Sequence, residues 1–167
     1  MGFALALLAP FAAHAQDSTN RVAANTAWSV FVEESPKECW VVSAPTETIN
    51  TKNGRAVAVR RGHILFMVSW RPEKGVKGEV YFTGGYPFAN KSKVRLTIGS
   101  DAFDLFTQGE DAWPATKDDD AKIIAAMKRG ADAVLVASSA RGTRTEDHFS
   151  LLGFTAAVEE AAKRCGG

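Results

Sequence analysis

Residues 93–106 read KVRLTIGSDAFDLF, and this stretch decides the fold class. Val94, Leu96 and Ile98 alternate with Lys93, Arg95 and Thr97, the period of a strand with one face on a core. With Ser100-Asp101 as a two-residue turn, Ile98 faces Phe103 and Leu96 faces Leu105. The apolar set then shares one face, and Lys93, Arg95 and Asp104 share the other. A slip of one residue would turn the apolar set to water, so the sequence predicts an antiparallel hairpin in this phase.

The same pattern extends in both directions. Downstream, Gly142-Thr143 as a type II′ turn sets Val136 opposite Phe149 and Val134 opposite Leu151, leaving His148 opposite Ala137 on the other face. Upstream, Trp28, Val30 and Val32 alternate with polar residues, and Cys39-Trp40-Val41-Val42 follows a Ser35-Pro36 turn. Asn53-Gly54 marks a turn before a strand at 56–59. Ile64, Phe66, Val68 and Trp70 alternate again, and the intervening Leu65 and Met67 predict a strand covered on both faces. A short strand at 79–83 ends at Gly84-Gly85. Two segments read as helices. Residues 118–129 begin with three aspartates and end in Lys128-Arg129 followed by Gly130, which suits the helix dipole and a C-terminal cap. Residues 154–165 place Phe154, Ala157, Val158, Ala161, Ala162 and Cys165 on one apolar stripe. The expected fold is mainly β, an antiparallel sandwich or barrel-like body with two short α-helices packed on it.

The chain has 167 residues, enough for one domain with a real core. Its 20 Lys+Arg against 19 Asp+Glu exclude a uniformly basic nucleic-acid binder, so no nucleic-acid partner is expected. Residues 1–15, MGFALALLAPFAAHA, are uncharged and end in an A-x-A site at Ala13-His14-Ala15. That is the form of a cleaved secretory signal peptide. The expected organisation is a leader at 1–15, a flexible mature terminus at 16–27 and one β-rich domain at 28–167. No later run approaches the roughly 18 apolar residues of a membrane span, so no transmembrane segment is expected. The expected location is the periplasm or the outer surface.

Cys39 lies in an early strand and Cys165 at the end of the last helix. Outside the reducing cytosol an isolated pair is expected to bridge, two buried free thiols being the alternative. Two cysteines are too few for a structural zinc site, and no metal or cofactor is called for. No G-x-S-x-G elbow, phosphate loop, H-E-x-x-H or dinucleotide fingerprint is present. Asp147-His148 with Ser150 looks like a triad only on paper, because adjacent strand residues point to opposite faces. The reading is therefore non-enzymatic. The alternatives are a hydrolase using His63 or His148 with a nearby Ser or Asp, and a carrier of a small apolar ligand within the β body.

Charge is unevenly distributed. Ten basic residues between Lys52 and Arg95 face only Glu73 and Glu79, whereas residues 101–120 hold seven acidic residues and one lysine. Arg60, Arg61, Lys74, Lys77, Lys91, Lys93 and Arg95, with Tyr86 and Phe88 of the TGGYPF loop (83–88), form the candidate binding surface. Its partner would be an anionic surface glycan, lipopolysaccharide phosphates or an envelope protein. The competing reading is that neighbouring strands neutralise these charges, as Arg95 and Asp104 would across their hairpin. Likewise, Tyr86 and Phe88 could plug one end of the body.

Trp28-Ser29-Val30 opening the domain, Cys39 about ten residues on, and FSLLGFTAA at 149–157 together resemble the invasion-associated locus B family of alphaproteobacterial exported proteins. The resemblance runs from Trp28 to Cys165, and its most specific part is the SLLGF block. Many members carry further mid-domain cysteines that this chain lacks. The resemblance implies a periplasmic or surface-associated protein without an assigned reaction, whose best-known relatives are linked to host-cell invasion. It supplies no catalytic residues to carry over.

Overall fold

The computed structural model describes residues 20–166. The leader expected at 1–15 lies outside the described residues. Twelve strands form the body: β1 (Arg21–Asn25), β2 (Trp28–Glu34), β3 (Lys37–Ser43), β4 (Glu47–Lys52), β5 (Arg55–Ala56), β6 (Leu65–Arg71), β7 (Val76–Thr83), β8 (Lys93–Ile98), β9 (Asp101–Gln108), β10 (Asp111–Trp113), β11 (Asp132–Ser138) and β12 (Arg144–Ser150). Among the described residues two α-helices join them, α1 (Lys117–Arg129) and α2 (Phe154–Cys165). All pairings are antiparallel, in the order β1-β2-β3-β6-β7-β10-β9-β8-β11-β12-β4-β5. The sheet does not close into a barrel; it folds over on itself. Phe149 of β12 meets Phe66 of β6 at 5.6 Å and Phe82 of β7 at 6.2 Å, both edge to face. The expected β body with two packed helices is what forms.

The helices follow their local signals. Thr116 caps α1 by accepting the Asp119 N–H at 3.2 Å, and Ile123, Ala126 and Met127 turn inward. In α2 the predicted stripe is the buried one, with Ala162 partly covered, and it lies against β2 and β3. Cys165 at its end is disulfide-bonded to Cys39 of β3, with 6.0 Å between the α-carbons.

Several local expectations need correction. Residues 21–25 are a strand paired to β2 through a Thr26-Ala27 turn, not part of a flexible terminus. The β8–β9 turn is Gly99-Ser100, so Leu96 faces Phe103 and Val94 faces Leu105. This shift is by two residues and leaves every side chain on its expected face. The β11–β12 register differs by three, which reverses the faces. Ala133, Leu135 and Ala137 face the core opposite Phe149, Asp147 and Thr145, while Val134 and Val136 lie half-buried outside. A longer loop makes this register possible, held by Ser139, whose Oγ accepts the N–H groups of Arg141 and Thr143. Leu65 and Met67 are only half-buried. The strand expected at 56–59 is reduced to β5, after which residues 57–64 cross as a strap without regular structure. Gly130 ends α1 in extended conformation, not left-handed; it is glycine because a β-carbon would sit 2.5 Å from Ile98 Cγ2.

Candidate functional site

Three segments meet at one end of the folded sheet: the 57–64 strap, the loop after β7, and the β11–β12 loop. Gly62 N–H donates to the Gly85 carbonyl at 2.8 Å, and Ala140 N–H donates to the Pro87 carbonyl at 2.9 Å. Gly84 N–H reaches the Glu110 carbonyl at 3.0 Å. Gly85 is left-handed (φ 68°), and a β-carbon there would meet the Gly62 backbone at 2.7 Å. The two glycines thus let the strap and the loop touch. Between these segments lies a cleft of about 500 Å³ bordered by Arg60, Arg61, Tyr86, Glu110, Arg141 and Thr143.

The floor of the cleft is an ion pair. Arg61 leaves the strap and enters the body, where Nη1 and Nη2 each donate to an Asp147 carboxylate oxygen at 2.6 Å. Its Nε donates to the Gly84 carbonyl at 2.9 Å, and Nη1 also reaches Asn50 Oδ1 at 3.4 Å. The side chains are 6% and 0% exposed. Burial pushes the Asp147 carboxyl up from its ordinary value, and the bidentate Arg61 opposes that shift. The guanidinium lies 4.9 Å from the centre of the Tyr86 ring, and the Tyr86 hydroxyl is 2.5 Å from Thr145 Oγ1. Burial, foremost, raises the Tyr86 hydroxyl above its ordinary value.

Arg60 and Arg141 stand on the rim of this fixed floor. Among the described residues neither guanidinium has an ion-pair partner. The cleft therefore offers two free planar cations, one carboxylate at Glu110 and an aromatic side chain, all on loops tied together by backbone hydrogen bonds.

The predicted basic surface is only partly gathered here. Arg60, Arg61 and Tyr86 come together, but Arg61 is a buried strut and not a contact residue. Phe88, 6% exposed, is core, packed on Phe82 and Tyr86, so the loop does fold back as a plug. Lys93 and Arg95 both pair with Asp104, and Lys74 lies 3.7 Å from Glu38. Lys91 is exposed in the turn before β8, and Lys77 borders a different groove. Of the histidines, His63 is exposed, and His148 lies on the outer face with Nε2 3.0 Å from Glu146 Oε1, opposite in direction to the buried Asp147. Among the described residues no group of three or more His, Cys, Asp or Glu is placed to hold a metal ion. Sequence reading weighed Asp147 only as a member of an apparent triad and missed Arg141. Asp147 gives no apolar signal, and Arg141 falls outside the basic block at 52–95.

The segment most particular to the resemblance is also placed. Trp28 Nε1 donates to the Ser150 carbonyl at 3.0 Å, its ring meets Phe154 at 4.8 Å, and Ala27 N–H donates to the Leu152 carbonyl at 3.2 Å. The two ends of the motif are thus one packed joint. The family model described as invasion associated locus B (IalB) protein matches residues 28–162, from this tryptophan to the last turn of α2. The chain belongs to the IalB family. Its fold is similar to that in the crystal structure of invasion associated protein B from Bartonella henselae, with a TM-score of 0.56. The two are 16% identical, and the alignment covers 84% of this chain and 95% of that one. No curated protein matches the sequence. Within the IalB family, then, the SLLGF block of this chain is a structural joint on the far side of β12 from the cleft-lining loops.

Proposed function

We propose that this IalB protein is an exported, non-enzymatic protein of the bacterial envelope that acts by binding an anionic glycan through the Arg60–Arg141 cleft. The observation that carries the reading is the pair of guanidinium groups, without an ion-pair partner among the described residues, beside the internally neutralised Arg61–Asp147 pair. A cation already paired with a neighbouring carboxylate, as Lys93 and Arg95 are with Asp104, must give up that partner to bind another. Arg60 and Arg141 have no such partner to give up among the described residues. The Arg61–Asp147 strut anchors the strap that carries Arg60, and the Ala140–Pro87 backbone bond ties the loop that carries Arg141. Export is supported by the leader-like residues 1–15 and by the Cys39–Cys165 bridge.

Retention of the mature protein on a sulfated or phosphorylated glycan surface, read across a salt series, tests this. The double variant R60Q/R141Q is expected to elute at clearly lower salt than the wild type, and K93Q/R95Q to elute with it. Equal loss in both variants would mean diffuse attraction, and elution of the wild type below physiological salt would end the proposal.

A further inference from the structure

A second groove, about 560 Å³, lies between α1 and β7 and is closed on one side by α2. Trp70, Val76, Ala121, Ile124, Ala125 and Val158 make its walls predominantly apolar. Lys117, Ala121, Ile124 and Lys128 fall at i, i+4, i+7 and i+11, so one stripe of α1 faces the groove with an apolar middle and a lysine at each end.

The sheet adds a third lysine by an irregularity. Ser69 pairs with Glu79, but Trp70 pairs with Lys77, so Gly78 is an extra residue in β7. Regular pairing would have set Gly78 opposite Trp70 and Lys77 opposite Arg71, on the outer face. The bulge instead transfers Lys77 to the face of Trp70, which is 4% exposed. Gly78 is left-handed (φ 83°), and a β-carbon on it would stand 3.0 Å from Ile124 Cδ1, so the bulge is also where strand and helix approach.

The ends of the groove can be told apart. Val80 N–H donates to Asp120 Oδ1 at 2.8 Å, and Gly78 lies beside Ile124. Two strand residues span about 6.6 Å and four helical residues about 6 Å, so β7 and α1 run past one another nearly in step. Continuing that step brings residues 76–77 level with Lys128. Lys77 and Lys128 therefore mark one end, and Lys117 and Asp120 the other. Neither the Lys77 nor the Lys128 ammonium has an ion-pair partner among the described residues. The remaining nearby carboxylate, Glu79, is engaged by Arg71.

We infer that this groove binds a single-chain anionic amphiphile, a medium-chain fatty acid of about twelve carbons. The carboxylate sits between Lys77 and Lys128, and the chain lies over Ile124 and Ala121 toward Trp70 and Val158. Size and lining are those of a small-molecule site, with an apolar surface and a few cations that fix orientation. The site is separate from the Arg60–Arg141 cleft, so either can fail without the other.

Dodecanoate and 1-dodecanol are the probes, titrated against the full chain after leader removal, by calorimetry and by Trp fluorescence quenching with a brominated fatty acid. The wild type is expected to bind dodecanoate and to be quenched by the brominated analogue. K77Q/K128Q is expected to lose affinity for dodecanoate by about tenfold or more while 1-dodecanol binding is unchanged. A121E, a change at an exposed groove position, is expected to abolish both, and R60Q/R141Q to alter neither. No binding of dodecanoate to the wild type overturns the inference. So does equal affinity for acid and alcohol that ignores the lysine changes, or binding that survives A121E.

Discussion

Arg61 carries its charge to a place that water does not reach, and Asp147 is there to receive it. Two charges so buried add little over a well-packed apolar pair, but either one left alone is costly. D147N and R61M are therefore each expected to destabilise the fold by about 3–5 kcal/mol, whereas the double replacement R61M/D147L recovers most of the loss. Urea denaturation of the three variants checks this, and equal losses in single and double variants would refute the strut. Asp147 also explains why the β11–β12 register was not legible. An apolar pattern assigns inward positions to Val134 and Val136, and it cannot know that an aspartate has a partner waiting 86 residues upstream. Asp120 is a second carboxylate perturbed by burial. Burial, foremost, pushes its carboxyl from the ordinary 3.8 up to about 6, against the opposing hydrogen bond from Val80. A raised value means that the folded state holds the proton more tightly than the unfolded chain. The stabilisation is full below about pH 4 and is lost as pH rises through 6. D120N, which still accepts from Val80, is expected to gain ~1–2 kcal/mol relative to wild type between pH 4 and 7, the figure being reduced for a half-exposed group. Melting curves across that range give the difference, and a flat difference would show that the carboxyl titrates normally.

Among the elements, the joint between β12 and α2 has the tightest requirement. Gly153 turns the chain in left-handed conformation (φ 87°), and a β-carbon on it would lie 2.0 Å from the Asn25 carbonyl oxygen. Backbone strain and collision with a neighbouring strand act together there. By contrast Gly99, left-handed in the β8–β9 turn (φ 57°), has open space around it. G153A is expected to cost roughly 3 kcal/mol and G99A about 1 kcal/mol, measured by chemical denaturation. Similar small losses at both would mean that β1 yields at the joint. The helices, by comparison, were readable nearly to the residue, because their caps, dipole-matched charges and apolar stripes are local properties. The predicted hairpin turns at Ser35-Pro36 and Asn53-Gly54 were readable for the same reason. β1 was not, since RVAAN has little apolar signal of its own and is ordered by pairing with β2. Nor was the cleft as a unit, because its three loops come from positions 57–64, 84–88 and 139–143 and meet only once the sheet has folded over.

At the scale of the whole molecule the sheet is open, with β1 at one edge and β5 at the other, so its two halves must be held together by something besides strand pairing. Aromatic packing of Phe149 on Phe66 and Phe82 does this in the middle, and the Arg61–Asp147 pair does it at the cleft end. The third tie is covalent. Cys39 stands in the third strand and Cys165 in the last turn of α2, so the bridge closes a loop over a sequence separation of 126 residues. In the chain-entropy view such a loop removes much of the freedom of the unfolded chain, and native bridges of this kind are worth about 2–5 kcal/mol. The oxidised protein is expected to weigh two hydrogen masses less than the reduced chain and to resist alkylation without reductant. The double variant C39S/C165S is expected to stay folded but lose stability in that range, since α2 still buries Phe154, Ala157, Val158 and Ala161 against β2 and β3. Backbone amides of β6 and β7, in the middle of the sheet, would then exchange faster only by the global loss of stability, while those at the C-terminal end of α2 exchange faster still through local opening. Uniform acceleration across α2, β6 and β7 would mean that the bridge acts only on the unfolded chain. Acceleration in the last turns of α2 beyond the global change would mean that it also pins the helix to β3, keeping the far wall of the α1–β7 groove in place.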